Sequence, residues 1–271
     1  MPQNDPIAET RLREAADALW NARSTHRPIP PLRQWLDATN LSGAYAVQHL
    51  NTARRLSAGG RKIGRKIGRK IGLTSAAIQR QLAVDRPDFG ILFDDMLYEG
   101  DEVRVSTAGL LQPRIEGEIA FILDEDVTEA RLPRDRLVRA AGSAAAAFEI
   151  VDSAIADWKI TLADTVADNA SCGALVLSRE RKPLASVDVR LAGMVMTEGD
   201  TIVSLGVGAA SMGDPIAAFG WLADLAIEQG EPLRRGEIVL TGALGAMVPF
   251  TRGKRYQLEI AGFSALIASA D

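Results

Sequence analysis

Thiol and imidazole chemistry is nearly absent from this chain, which holds one cysteine, Cys172, and two histidines, His26 and His49. A lone cysteine excludes an intrachain disulfide framework, and so few soft or imidazole ligands exclude a structural zinc site. No apolar run reaches the length of a membrane span, and the opening MPQNDPIAET is polar and acidic rather than basic and then apolar. Together these absences point to a cytoplasmic protein that makes no use of the membrane. A glycine-rich nucleotide fingerprint following a strand is also missing.

What is present is enough apolar material for a real core. The chain has 271 residues, 47% of them hydrophobic, and an ordinary charged fraction, so disorder is not indicated. Its net charge of −4 is unevenly placed. Between Asp37 and Asp85 there is no acidic residue and there are nine basic ones, so the acidic surplus lies elsewhere. A basic segment of that kind attracts an anion, be it nucleic acid, a phosphate or a small carboxylate.

Apolar periodicity predicts a helix from Asp5 to about Arg23, broken by RPIPP, and a second from Ser42 to Ala58, ended by Gly59 and Gly60. A short helix is expected in TSAAIQRQLAV, capped by Thr74 or Ser75. Strands are expected around Glu102–Val105, Pro113–Leu123, Phe148–Asp152, Gly173–Leu177, Leu191–Met196, Thr201–Leu205, Glu237–Thr241 and Tyr256–Ile260. Helices over Arg134–Ala147 and from Asp214 to Gly230 interrupt them, and Glu198–Asp200 reads as a hairpin turn. Grouped strands with so few intervening helices indicate an α+β fold rather than a doubly wound sheet. The organisation read from this pattern is a helical subdomain over residues 1–60 and a strand-rich main domain over 61–271.

The basic segment contains GGRKIGRKIGRKIGLTS, three copies of R-K-I-G. As a helix it would stack Gly64, Gly68 and Gly72 on one face, each costing roughly 1 kcal/mol relative to alanine. As a strand the last copy sets Lys70 beside a glycine that permits close approach, with a helix start directly after it. For Lys62 and Lys66 a solvated basic loop is the plainer reading.

In QPRIEGEIAFIL, strand alternation puts Ile115, Gly117, Ile119, Phe121 and Leu123 on one face and Arg114, Glu116 and Glu118 on the other. Carboxylates two residues apart on a strand lie about 7 Å apart, which suits two ligands converging on one hard cation. The plain alternative is the solvent face of an edge strand. Glu149, in the apolar run AAAAFEIVDS, supplies a third carboxylate that would be costly to bury alone. Three such groups make a site of the kind magnesium or manganese prefers, and Arg114 is the candidate partner if Glu149 is instead structural. ADNAS, further on, is either a tight turn or a place where Asp168, Asn169 and Ser171 face a ligand.

RKIGLTS, VDRPDFGILFDDM, LLQPRIEGEIAFIL, FEIVDSAIADWKITLADTVADNASCG and GEPLRRGEIVLTGALGAMV together resemble the 2-hydroxypenta-2,4-dienoate (2-keto-4-pentenoate) hydratases of the fumarylacetoacetate hydrolase superfamily. The resemblance runs from about Ala44 to Ser269. It implies a helical N-terminal part followed by a mixed β-roll or barrel, a bound Mg2+ or Mn2+, a small 2-oxo or 2-hydroxy-dienoate substrate, a homo-oligomer, and a downstream aldolase as a candidate partner. Carried over by motif, Glu116, Glu118 and Glu149 hold the ion and Lys70 points into the site. Asp95, Asp168, Asn169 and Ser171 are the remaining pocket residues. The sequence departs from the family in its extra R-K-I-G copies, so a slip by one copy would present Lys66 in place of Lys70, and in Ala246, where proline is common. The implied reaction is protonation at C5, addition of water at C4 and protonation at C3, with the ion binding the substrate carboxylate and the adjacent oxygen.

Three alternatives stand beside it. A 4-oxalocrotonate decarboxylase would use the same metal and enolate logic and lose carbon dioxide. A C–C bond hydrolase would be expected to use a histidine to activate water, and both histidines precede the carboxylate motif. A nucleic-acid binder would rest on the basic repeat, which has no interleaved aromatics and leaves the carboxylates unexplained.

Overall fold

A computed structural model of the protein describes residues 6–57, 65–75, 79 and 86–271. Gly59 and Gly60, the first R-K-I-G copy with Lys62, most of the helix expected after Thr74, and the boundary at residues 60 and 61 lie outside them.

Two helices come first, α1 (Pro6–Thr25) and α2 (Leu41–Ser57), with the Pro-rich break between them. Strands β1 (Lys66–Gly72), β2 (Asp88–Phe93), β3 (Leu97–Glu99), β4 (Glu102–Val105) and β5 (Pro113–Ile122) follow. Then come α3 (Arg134–Ala141), β6 (Ser143–Asp152), α4 (Leu162–Ala167), β7 (Cys172–Leu177) and the short β8 (Lys182–Pro183). The chain ends with β9 (Gly193–Glu198), β10 (Thr201–Val207), α5 (Pro215–Glu228), β11 (Ile238–Leu240), β12 (Val248–Pro249), β13 (Arg255–Ile260) and β14 (Leu266–Ala270). The fold is α+β, a helical N-terminal part followed by mixed sheets with a curled half-barrel. No helix among the described residues is long and apolar enough to cross a membrane.

The larger sheet runs β2-β1-β11-β5-β6-β7-β3, with β12 added to β5 and β8 to β6. The smaller runs β10-β9-β13-β14-β4. Both bury aliphatic side chains in one core, where Phe121 and Phe219 meet edge to face at 5.9 Å. A second, smaller core joins Ala15, Leu19, Ala44 and Val47 of the first two helices to Ile155, Ala163 and Val166 around α4. The N-terminal helices are therefore packed onto the segment that leads into β7.

Local chemistry explains where several elements start and stop. Asp214 caps α5 by accepting from the Ile216 amide at 2.9 Å, Pro215 fills the first turn, and Gly230 follows with φ of 74°. Thr161 and Asp164 form a reciprocal capping box on α4.

The alanine run departs from expectation. The helix predicted to Ala147 ends at Ala141, Gly142 turns the chain with φ of 64°, and Ala144–Ala147 belong to β6. β6 lies between β5 and β7, buried on both faces, so tertiary packing overrides the helix preference of alanine. Ala145 and Ala147 also share a face with Glu149, where small side chains leave room beside the carboxylates.

Candidate metal centre and active site

β5 and β6 are antiparallel with Glu116 directly opposite Glu149 and Glu118 opposite Ala147. Opposed residues project to the same face, so the register alone gathers all three acids. One oxygen from each of Glu116, Glu118 and Glu149 lies within 4.8 Å of the other two. Glu118 and Glu149 are fully buried. The solvent-exposed edge is ruled out because β5 is an interior strand, paired on both sides by β11 and β6.

Lys70 Nζ lies 3.0 Å from Glu149 Oε1 and is itself buried. It takes the place suggested for Arg114, whose guanidinium instead covers the Trp158 ring at 4.8 Å. Lys66 turns elsewhere, pairing with Glu231 at 2.8 Å. Glycine makes the lysine's position accessible, since a Cβ at Gly72 would collide with Asp88 Oδ1 and come within 3.4 Å of Lys70 Nζ.

Asp88 was not singled out from sequence, although it carries the same signal as Glu149: an acid opening a wholly apolar run, DFGILF. It is 1% exposed, its Oδ2 accepts from Thr165 Oγ1 at 3.3 Å, and its Oδ1 has no hydrogen-bond partner among the described residues. Gly242 was missed as well. Its φ of 102° turns its amide to donate to Glu118 Oε2 at 2.8 Å.

The electrostatics are those of an acidic hole. Burial, then repulsion from Glu149, pushes Glu116 up to about 8. Burial, then repulsion from Glu149 and Glu116, pushes Glu118 well above its usual range. Burial works against the Lys70 ammonium, but Glu149 and Asp88 more than reverse this and hold it charged. Glu118 Oε1 and both oxygens of Glu149 lack a hydrogen bond of good geometry among the described residues, the lysine contact being an ion pair only. Buried acceptors left in this state, three carboxylates against one nearby ammonium, fit a hard divalent cation held by oxygen.

ADNAS proves to be a strained turn. Asn169, Ala170 and Ser171 all have φ between 51° and 56°. The turn lies across Gly90, the register partner of Lys70, where a Cβ would strike the Asn169 carbonyl and approach Ala170 at 3.2 Å. Asn169 staples it to β2, accepting from the Ile91 amide at 2.7 Å and donating to the Ile91 carbonyl at 2.9 Å. Ser171 is buried with its Oγ unpartnered among the described residues. Asp168 is engaged structurally: Oδ1 accepts from Arg23 at 2.8 Å and Oδ2 from the Ala154 amide at 2.8 Å. Arg23 also reaches Asp152, which clamps α1 onto the sheet. Asp95 stands apart from the cluster, its carboxylate held by Arg55 at 2.7 Å on both oxygens.

Comparison with known proteins agrees with this architecture, although no family model matches the chain. It is 47% identical over 263 residues to 2-keto-4-pentenoate hydratase 2 of Dechloromonas aromatica, covering 94% of this chain and 97% of that one. In structure it is similar to a 4-oxalocrotonate decarboxylase from Pseudomonas putida G7 complexed with magnesium and adipate. That match has a TM-score of 0.89 at 29% identity, over 97% of this chain and 98% of the other. A putative fumarylacetoacetate hydrolase family protein of Yersinia pestis CO92 shares the fold, with a TM-score of 0.57 at 16% identity over 75% of this chain and 92% of that one. The chain belongs to the 2-keto-4-pentenoate hydratase family of hydro-lyases.

Proposed function

We propose that the protein is a divalent-metal-dependent hydratase that adds water to 2-hydroxypenta-2,4-dienoate, through its 2-oxo tautomer, to give 4-hydroxy-2-oxopentanoate. The observation that carries this reading is the cluster of half-buried Glu116 with buried Glu118 and Glu149, the last two retaining oxygens without a hydrogen-bond partner among the described residues, in a chain of this family.

Those three carboxylates would hold Mg2+ or Mn2+, which when bound polarises the carboxylate and adjacent oxygen of a 2-oxo acid. The other groups are contributed by the chain itself. Lys70 Nζ, kept protonated by Glu149 and Asp88, supplies a fixed positive charge against the negative charge that develops at the substrate's C2 oxygen. Asp88 Oδ1, without a hydrogen-bond partner among the described residues and beside Lys70, is placed to hold or move a proton. Ser171 Oγ offers a buried hydroxyl from the strained turn, and Asn169 and Asp168 keep that turn in place. His26 and His49 are both exposed and on the N-terminal helical side, which counts against the histidine-assisted C–C hydrolase. Leu191, Ile202 and Leu205, exposed around edge strand β10, support a homo-oligomer.

The test is an ultraviolet and mass-resolved assay of freshly generated 2-hydroxypenta-2,4-dienoate with magnesium, with manganese, and with a chelator. Metal-dependent gain of one water establishes the hydratase. Loss of carbon dioxide from 4-oxalocrotonate in a parallel trial, with no hydration, moves the activity to the decarboxylase.

A further inference from the structure

The triple R-K-I-G repeat is not used up by the site, since one lysine suffices there. Its placement on β1 has an unusual property. The strand occupies Lys66–Gly72, and residues 62–68 spell the same seven letters, KIGRKIG. The identity extends further back, because residues 60–68 and 64–72 are both GRKIGRKIG.

Consider β1 withdrawn by four residues. Every place on the strand then receives the residue type it already holds. Arg65 takes the buried seat of Arg69 against Glu237 and the Glu231 carbonyl, and Ile67 takes the place of Ile71, which is 0% exposed. Gly68 takes the place of Gly72 beside Asp88, and Lys66 arrives where Lys70 meets Glu149. Gly64 falls at Gly68, where any side chain would collide with the Ile238 carbonyl. An even displacement keeps inward residues inward, so the usual penalty for a strand slip, loss of facing, does not arise. Within β1 the two registers are isoenergetic by composition.

The difference between them lies in the flanks. In the observed register Leu73 is half buried, and Gln79 Nε2 donates to its carbonyl at 2.7 Å. Thr74 is 5% exposed, packs beneath Gly242, and accepts from the Met212 amide through its carbonyl at 3.1 Å. Withdrawal would put Arg69 and Lys70 in those two places, and a lysine ammonium at the Thr74 position is costly to bury. It would also cut the connection from Ser57 to the strand from eight residues to four.

We propose that Lys66 is a reserve for Lys70, brought to the carboxylates by a four-residue slip of β1 whose main barrier is Lys70 itself. Replacing Lys70 removes the buried ammonium from the withdrawn register, so the Lys70→Ala protein restores a lysine to its own site. The functional half of this inference rests on the reading of Lys70 as the cation of the active site, while the slip itself does not.

The experiment compares four proteins: the full chain, Lys70→Ala, Lys66→Ala/Lys70→Ala, and Lys70→Ala lacking Arg61–Gly64. The last cannot slip, because the deletion already shortens the connection to four residues and withdrawal would leave none. The deletion alone, in an otherwise unchanged chain, serves as the control that four residues span the gap, and full activity is expected of it. Lys70→Ala is expected to retain at least about tenfold more activity than either the double variant or the deletion variant. A crystal structure of Lys70→Ala provides a readout free of catalysis, with Lys66 Nζ expected at ion-pair distance from Glu149. Equal activity in all three lysine-deficient proteins, with the substituted position 70 still beside Glu149 in the crystal, overturns the proposal. If the full chain hydrates no dienoate while the crystal shows Lys66 at Glu149, the hydratase reading fails and the slip stands.

Discussion

Arg69 and Lys70 are neighbours on one strand, both buried, and they serve opposite ends. Arg69 finds its charge answered by Glu237 at 3.1 Å, the Glu231 carbonyl at 2.7 Å and Glu231 Oε2 at 3.3 Å. Lys70 faces three clustered carboxylates, two of which, Glu118 and Glu149, retain oxygens without a hydrogen-bond partner among the described residues. Burial of charge therefore does not mark a functional site by itself. What separates the two sides of β1 is whether the buried polar atoms are satisfied: the Arg69 side is closed, and the Lys70 side remains short of positive charge.

The largest expected effect lies on the unsatisfied side. Glu149→Gln should weaken magnesium binding by at least about 100-fold in calorimetry and lower turnover by about 10³-fold or more, since it removes both a ligand and the partner of Lys70. Binding of the ion unchanged by this substitution would erase the distinction drawn here. On the satisfied side, Arg69→Met should cost about 2–4 kcal/mol in urea unfolding while the folded fraction keeps its kcat, because Glu237 and the Glu231 carbonyl lose their donor.

A pH effect sharpens the same contrast. With Glu116 raised to about 8, most of it is protonated at neutral pH in the ion-free protein, and ion binding must expel that proton. Magnesium affinity should rise with pH through neutrality, by up to about tenfold per pH unit for each of Glu116 and Glu118 that still carries a proton, with proton release seen as buffer-dependent heat. A flat profile from pH 6 to 9 would show that the carboxylates are not repelling one another as described. The smallest effect is expected at Asp95→Asn, which breaks a partly exposed pair with Arg55 and should cost about 0.5 kcal/mol and less than tenfold in kcat/KM. A 100-fold loss there would return Asp95 to the reacting groups.

Much of this was legible in the sequence because alternation is unambiguous when one face is charged. In QPRIEGEIAFIL the period of two separates Glu116 and Glu118 from the isoleucines, and an acid in an apolar run drew attention to Glu149. β2 lacks the first of these signals, since all six of its residues are buried and DFGILF does not alternate, and the acid that opens it is the second signal alone. Asp88 went unread with it. The alanines of β6 carry helix propensity and no face, so only the neighbouring strands decide their state. Asn169 and Asp168 are visible as turn residues, but their partners, Ile91 and Arg23, are distant in sequence and no local pattern reveals them.

The Arg23 clamp has a consequence for how the chain is made. The helix that carries it is synthesised before its partners Asp152 and Asp168, which come 129 and 145 residues later. A chain made as far as Asp152 already gives Arg23 one counter-charge, and the turn leading into β7 gains its contact with Arg23 only once Asp168 follows. The clamp thus closes a long loop, and the entropy of that closure is set against the two ion pairs that hold it.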